Sequence, residues 1–331
     1  MNCNVPDGEQ CLTMTRPPKD SRSRVAGLRA FTYALLVLMG FSAEPLFAQP
    51  FRLQTAPPAS PSPEAKRSFQ AKIQEQARAL GTQPPFNRLS PQRQQALLES
   101  IIGNMLFVAT HEIGRAVMSE FEVPAVTGIE ETADDFAVLT ILKHGERDFS
   151  DRVLIEAAKG WFMSGQRGKR GKTPDYYTQH RFSERRGTRI ACLVIGADPV
   201  RFKALAEETK LPKERQRRCG WDYDRATLSW EKVLAPYRRA ADQPKAQIEV
   251  IYGAASGVLQ AYAQAFRKLR FLEIVAELAA DRFAWRSPIA IDMRSCGEAA
   301  GGWIIAERRL HLCYEMARNF AELYRDLPQD Q

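Results

Sequence analysis

A histidine and a glutamate stand side by side in the apolar run Phe107-Val-Ala-Thr-His111-Glu112-Ile113-Gly114-Arg115-Ala116, in a chain of 331 residues. In the pattern His-Glu-x-x-His, two histidines one helical turn apart share a face and bind zinc through neutral imidazole nitrogens. The glutamate then serves as general base for the metal-bound water. Here Arg115 occupies the place of the second histidine. Its guanidinium stays protonated, offers five donors and no lone pair, and repels a dication where a ligand should stand. His111 is therefore a candidate metal ligand, Glu112 a candidate base, and Arg115 a candidate blocking group.

A second block follows a helix break at Pro124. Thr127-Gly128-Ile129-Glu130 has the form of a capping box, and an amphipathic helix is expected from there to about Gly145. The box claims Glu130 for the helix end. That leaves Glu131 and Asp135, four residues apart, for the metal question: a glutamate from a second helix is a usual third zinc ligand, and a carboxylate behind a ligating histidine orients its ring.

Together these blocks resemble a bacterial family of exported proteins of zinc metallopeptidase type, which share HExGH followed by P-V-x-G-x-E-E-D-A-A-D. The likeness covers most of the chain. It continues through Gly160-Trp161-Phe162, His180 to Arg186, Ile190-Ala-Cys192 to Pro199, Leu211-Pro212 to Cys219, Ser295-Cys296-Gly297-Glu298, and Leu310-His-Leu-Cys313-Tyr314-Glu315. The resemblance implies an α+β fold, a mostly helical zincin-like domain with a small β-sheet from the C-terminal part. It implies His111 and Glu131 as zinc ligands, Glu112 as base, Asp135 steadying a ligating histidine, and peptide-bond hydrolysis by metal-activated water.

The departures from the family pattern run in one direction. Arg115 replaces a histidine, Thr178 and Gln179 stand where the family has Asp-Glu before His180, and Ala300 stands where it has asparagine. Two protein ligands leave a zinc site short of three, so weakened or lost catalysis is expected. The alternative is a pseudopeptidase that binds a peptide, a partner protein or an anionic cell-envelope polymer without catalysis. Arg115 is expected to pair with Glu131 or Asp135, its charge standing in for the metal's. His180 is the candidate substitute ligand.

The elements that must position these groups are legible in outline. Ser90-Pro91 opens a helix, and Leu97, Ile101, Met105, Ala109 and Ile113 follow at helical spacing up to His111. Residues 90–245 thus read as a helical domain. Residues 246–325 read as a small α+β unit: strands at Ala246–Tyr252, Ile289–Met293 and Arg309–Cys313, one helical stretch from Val258 to Phe283, a glycine turn at Gly301-Gly302, and a closing helix. A small sheet of this kind could lie over the helix of His111 and hold extended peptide on its edge. Tyr314 reads as a core residue and Glu315 as a solvated one.

Ahead of the folded part, five basic residues precede the apolar run Ala30–Phe41, and Ala43 and Ala48 offer small residues for cleavage. This makes 1–48 a signal peptide and the protein exported, periplasmic or secreted, or anchored if the leader is retained. Residues 49–89, rich in Pro, Ala and Ser, read as a linker, with a short helix near Glu64–Leu80. Of six cysteines, Cys192, Cys219, Cys296 and Cys313 remain after the leader, an even number suited to an oxidising compartment. Closeness in sequence favours Cys192–Cys219 and Cys296–Cys313, with a zinc site from these four as the rival.

The net charge is +8, and residues 165–189 hold eight Lys or Arg against two acids. Such a segment suits an anionic surface, or is simply solvated. No nucleic-acid fold signature accompanies it, so specific nucleic-acid binding is not expected. No P-loop, dinucleotide fingerprint or serine or cysteine nucleophile pattern is present.

Overall fold

The computed structural model describes residues 63–83, 86–125, 128–144, 147–168 and 184–325. The leader expected at 1–48, Thr127, His180 and the middle of the basic segment 165–189 lie outside those residues.

The fold is built on one long helix. Ser90 caps it, its hydroxyl accepting the Arg93 N–H at 3.4 Å, and Pro91 takes the first position, where no N–H is needed. From there α2 (Pro91–Glu120) is apolar almost all round, with Leu97, Ile101, Met105 and Val108 among its fully buried residues. It is long and apolar enough to cross a membrane, yet 89% of that window is buried inside the protein. Its apolarity is that of a core helix.

Around α2 pack α1 (Pro63–Leu80), α3 (Ile129–His144) and α4 (Arg147–Gly168), with α5 (Glu184–Ala197) laid across α3 and α4. The short α6 (Lys203–Glu208) leads to α7 (Lys213–Leu234), which lies along α5. The packed region begins earlier than Ser90. Ile73, Ala77 and Leu80 of α1 are buried, so the stretch that composition assigns to a linker carries a docked helix. Its flanking prolines and alanines hide that i, i+4, i+7 stripe.

The C-terminal part supplies β1 (Ile248–Tyr252), α8 (Leu259–Leu269), α9 (Phe271–Ala280), β2 (Ile289–Arg294), β3 (Gly301–Ile304), β4 (Arg309–Cys313) and α10 (Tyr314–Arg325). The four-stranded sheet runs β1-β2-β4-β3, parallel except for β3, which pairs antiparallel with β4 at one edge. The fold is therefore α+β, mostly helical, with its sheet late in the chain. Residues on both sides of 245 enter one hydrophobic core, within a single compact unit, Ala56–Gln331.

Two local expectations change. The stretch 258–283 is two helices, broken at Arg270 with φ 55°. The break has a tertiary cause: the Tyr252 hydroxyl, reaching over from β1, accepts the Leu272 N–H at 2.9 Å and donates to Glu273 at 2.7 Å. Gly301 and Gly302 begin β3, and the turn lies beyond them at Ile305–Arg308. A Cβ on Gly301 would sit 3.2 Å from both the His311 carbonyl and the Met316 sulfur, so glycine serves close packing there.

Disulfides Cys192–Cys219 and Cys296–Cys313 are both formed, the first joining α5 to α7 and the second joining the loop after β2 to the end of β4.

The approach of α2 to α3 is set by Gly114, within the His-Glu motif: a Cβ there would stand 2.9 Å from the Phe136 ring and 3.1 Å from its Cβ. Phe136 is itself held against Trp230 and Phe283. Gly114→Ala should therefore push the two helices apart and lower stability by about 1–3 kcal/mol, read as a lower urea midpoint with an unchanged slope.

Candidate active site

His111 and Glu112 lie on the face of α2 that meets α3, β3 and, through side chains, α5. Both are buried, at 1% and 0% exposure. His111 Nδ1 is 2.8 Å from Asp134 Oδ1, one turn beyond Glu130 on α3, and its Nε2 is 3.4 Å from Glu130 Oε2. Arg186 of α5 closes the other side of Asp134 with two hydrogen bonds of 2.7 Å, from Nε to Oδ2 and from Nη2 to Oδ1. Its Nη1 also donates to Glu130 at 3.2 Å, and its guanidinium lies 4.3 Å over the Trp161 ring of α4. This fork is planar, bidentate and stacked, an arrangement lysine could not supply.

Arg115 turns back into the same cluster. Its Nη1 donates to Glu130 Oε1, and its Nε lies 3.5 Å from Glu112 Oε2. Glu112 Oε2 accepts the backbone N–H of Trp303 on the edge strand β3 at 3.0 Å, while its buried Oε1 has no hydrogen-bond partner and lies 4.0 Å from His111 Nε2. The late sheet thus covers the helix of His111 by its edge. That contact is locked further along α2, where Glu120 accepts the Arg286 N–H at 3.1 Å and an Arg308 hydrogen bond at 2.5 Å.

The electrostatics follow from burial. Desolvation pulls the His111 imidazole down, but hydrogen bonds to Asp134 and Glu130 outweigh it and the ring is pushed up to about 9. Desolvation likewise pushes Asp134 up and is outweighed by Arg186 and His111, which hold it below the usual carboxylate range. Glu112, Glu130 and Asp134 thus face Arg115, Arg186 and the raised His111 imidazole.

The structure brings Glu130 and Asp134 to His111, not Glu131 and Asp135. Both pairs have the four-residue spacing, and one residue on a helix is a rotation of about 100°. Glu131 turns toward Gly128, where its Oε2 would be 2.6 Å from an added Cβ. Asp135 faces α5 and takes a bidentate pair from Arg189 at 2.7 and 2.6 Å. Arg115 pairs with Glu130 and Glu112 rather than with Glu131 or Asp135. Arg186 carries the cluster without having been assigned a role from sequence. Its signal was present: Arg186, Arg189, Ile190 and Leu193 fall at i, i+3, i+4 and i+7, so two arginines share the apolar stripe of α5.

As a zinc site the donor set does not fit. His111 and Glu130 are two ligands where three protein groups are usual, and a guanidinium is bonded to the glutamate. Access is limited as well, since only Arg115 at 31% and Glu130 at 22% side-chain exposure reach solvent appreciably.

Residues 74–234, from α1 to the end of α7 and including every helix of this cluster, match the model of a family described as "Putative metallopeptidase". No curated protein and no solved structure matches the chain.

Two outcomes test the cluster. Arg186→Leu strands Asp134 without its main counter-charge and should cost about 3–5 kcal/mol, measured by denaturant unfolding. The His111 ring, raised when folded, contributes stability that is complete below its unfolded value of 6.5 and is lost as pH rises through about 9. The loss should total about 3 kcal/mol and vanish in His111→Asn, and an NMR titration should find one of the four histidines titrating near that value.

Proposed function

Because residues 74–234 match the model of this family, we propose that the chain keeps a metallopeptidase frame whose metal has been replaced by a fixed set of ion pairs, leaving catalysis lost or weakened. The observation that carries this reading is the Arg115–Glu130 pair. It puts a permanent cation on the carboxylate best placed to share a metal with His111.

In a working member of such a family the metal would polarise the scissile carbonyl and activate water. Here Glu112 is bonded to the Trp303 N–H and beside Arg115, which gives it a structural place between α2 and β3. What survives is the frame, helices around α2 with the sheet laid against them by β3, and a short edge strand is the kind of element that binds extended peptide by backbone hydrogen bonds. A peptide or protein partner is accordingly the proposed ligand. The bases of segment 165–189 other than Arg186 and Arg189, which are bonded inside, add an anionic cell-envelope surface as a second contact. Export to an oxidising compartment agrees with the two disulfides.

Metal analysis of the full, disulfide-intact protein with Arg115→His and His111→Ala beside it tests the reading, with peptidase activity assayed on the same samples. The native chain should hold no stoichiometric zinc at this cluster and cleave nothing, while Arg115→His, by completing the histidine pair, should acquire about one zinc per chain. One zinc in the native protein that His111→Ala removes would overturn it and would turn attention to a third ligand such as His180.

A further inference from the structure

We propose that Cys296, His311 and Cys313 form a metal site for a zinc-class divalent ion once their disulfide is reduced, a site separate from the His111 cluster. Among the described residues, these three are the group of His, Cys, Asp or Glu whose ligand atoms converge, all within 4.8 Å of one another. His311 Nε2 lies 3.1 Å from Cys296 Sγ and 3.3 Å from Cys313 Sγ.

The sheet produces this convergence. His311 and Cys313 are two apart on β4 and share a face, and Asp292 on β2 is the register partner of His311. Asp292, 3% exposed, takes His311 Nδ1 at 3.1 and 3.2 Å and is itself flanked by Arg294 at 3.4 Å and Arg309 at 3.9 Å. A carboxylate on Nδ1 fixes the tautomer with the Nε2 lone pair turned to the sulfurs, the arrangement found behind zinc-bound histidines. The fourth element is the loop of Cys296. Glu315, expected to be solvated, is 3% exposed, and its carboxylate accepts the N–H groups of Cys296 and Gly297 at 2.9–3.1 Å.

Distances decide whether an ion would fit. A tetrahedral zinc with Zn–S about 2.3 Å and Zn–N about 2.0–2.1 Å needs sulfur–nitrogen separations of about 3.6 Å and a sulfur–sulfur separation of about 3.8 Å. The nitrogen is already within about half an ångström of both requirements. Only the two sulfurs must part, and cleavage of the bond between them permits that. Cys296 and His311 are partly exposed, which leaves an open side for a fourth ligand. The other disulfide, Cys192–Cys219, is fully buried between α5 and α7 and lies outside any such group.

The opening step is a thiol–disulfide exchange with a dithiol reductant. One of its thiolates attacks Cys296 Sγ, the more exposed sulfur, and Cys313 leaves as thiolate. The second thiolate then releases Cys296 and departs as the reductant's own disulfide. Two electrons pass to the cysteines, and the ion displaces any protons they have taken from solvent. Exchange with a disulfide oxidant, which takes back the two electrons as a dithiol, closes the site.

Cobalt(II) titration of the full chain carrying Cys3→Ser and Cys11→Ser tests this, because only thiolate ligation gives sulfur-to-cobalt charge-transfer absorption in the near ultraviolet. The disulfide form should give none, and the reduced form one equivalent, displaced by zinc. The band should persist in His111→Ala and in Cys192→Ser/Cys219→Ser, and disappear in Cys296→Ser. Asp292→Asn should weaken binding about 10–100-fold and His311→Ala by more. A reduced chain with native circular dichroism and no charge-transfer band overturns the proposal. So does a band unaffected by His311→Ala, or loss of the native fold on reduction, since the ligands come from a strand and a loop that the fold must hold together.

Discussion

The pairing of Arg186 with Asp134 is the constraint on which the centre of this protein depends. Asp134 is wholly buried, and an unpaired carboxylate there would cost several kcal/mol or take up a proton. Its fork from α5 and its contact with His111 on α2 tie three helices at one point. Trp161 of α4 covers the guanidinium from its face, so a fourth helix joins through the same residue. The helices around α2 are thus oriented by a polar knot set inside an apolar core.

Charge explains the character of that knot. Glu112, Glu130 and Asp134 meet at one point between α2 and α3. Arg186 bonds Asp134 and Glu130, Arg115 bonds Glu130, and the raised His111 imidazole leans on Asp134 and Glu130. The arginine substitution and the raised histidine are therefore two parts of one compensation. The edge strand β3 completes it by offering the Trp303 N–H to Glu112, so the late sheet depends on the same carboxyl groups as the helices.

A second corner of the molecule runs on different chemistry. At the end of β4, an imidazole fixed by a carboxylate faces two sulfurs, at the seam where strand, loop and α10 meet. The two disulfides differ by surroundings: one is fully buried between two helices, the other is partly exposed and faces an imidazole. Glu315 shows how such surroundings arise, its carboxylate turned inward to hold the Cys296 loop.

Much of this was legible in the chain. The cap at Ser90-Pro91, the apolar periodicity of α2, the proximity of the paired cysteines and the short apolar strand runs of β1, β2 and β4 all arise from local rules that act within a few residues. Arg115 at a ligand position was decisive for the same reason: guanidinium chemistry does not depend on context. Tertiary structure alone decided which of two equally spaced acidic pairs meets His111, because Glu130/Asp134 and Glu131/Asp135 differ only by the rotation of α3. That rotation is set by Gly114 against Phe136 and by Arg186 from a helix more than fifty residues away. It likewise decided the break at Arg270, where a tyrosine from β1 caps a helix that sequence reads as continuous, and the strand at Gly301, where a neighbouring carbonyl and sulfur pack close against the glycine. Sequence fixes what each residue can do; the packing of distant segments fixes which residue it does it to.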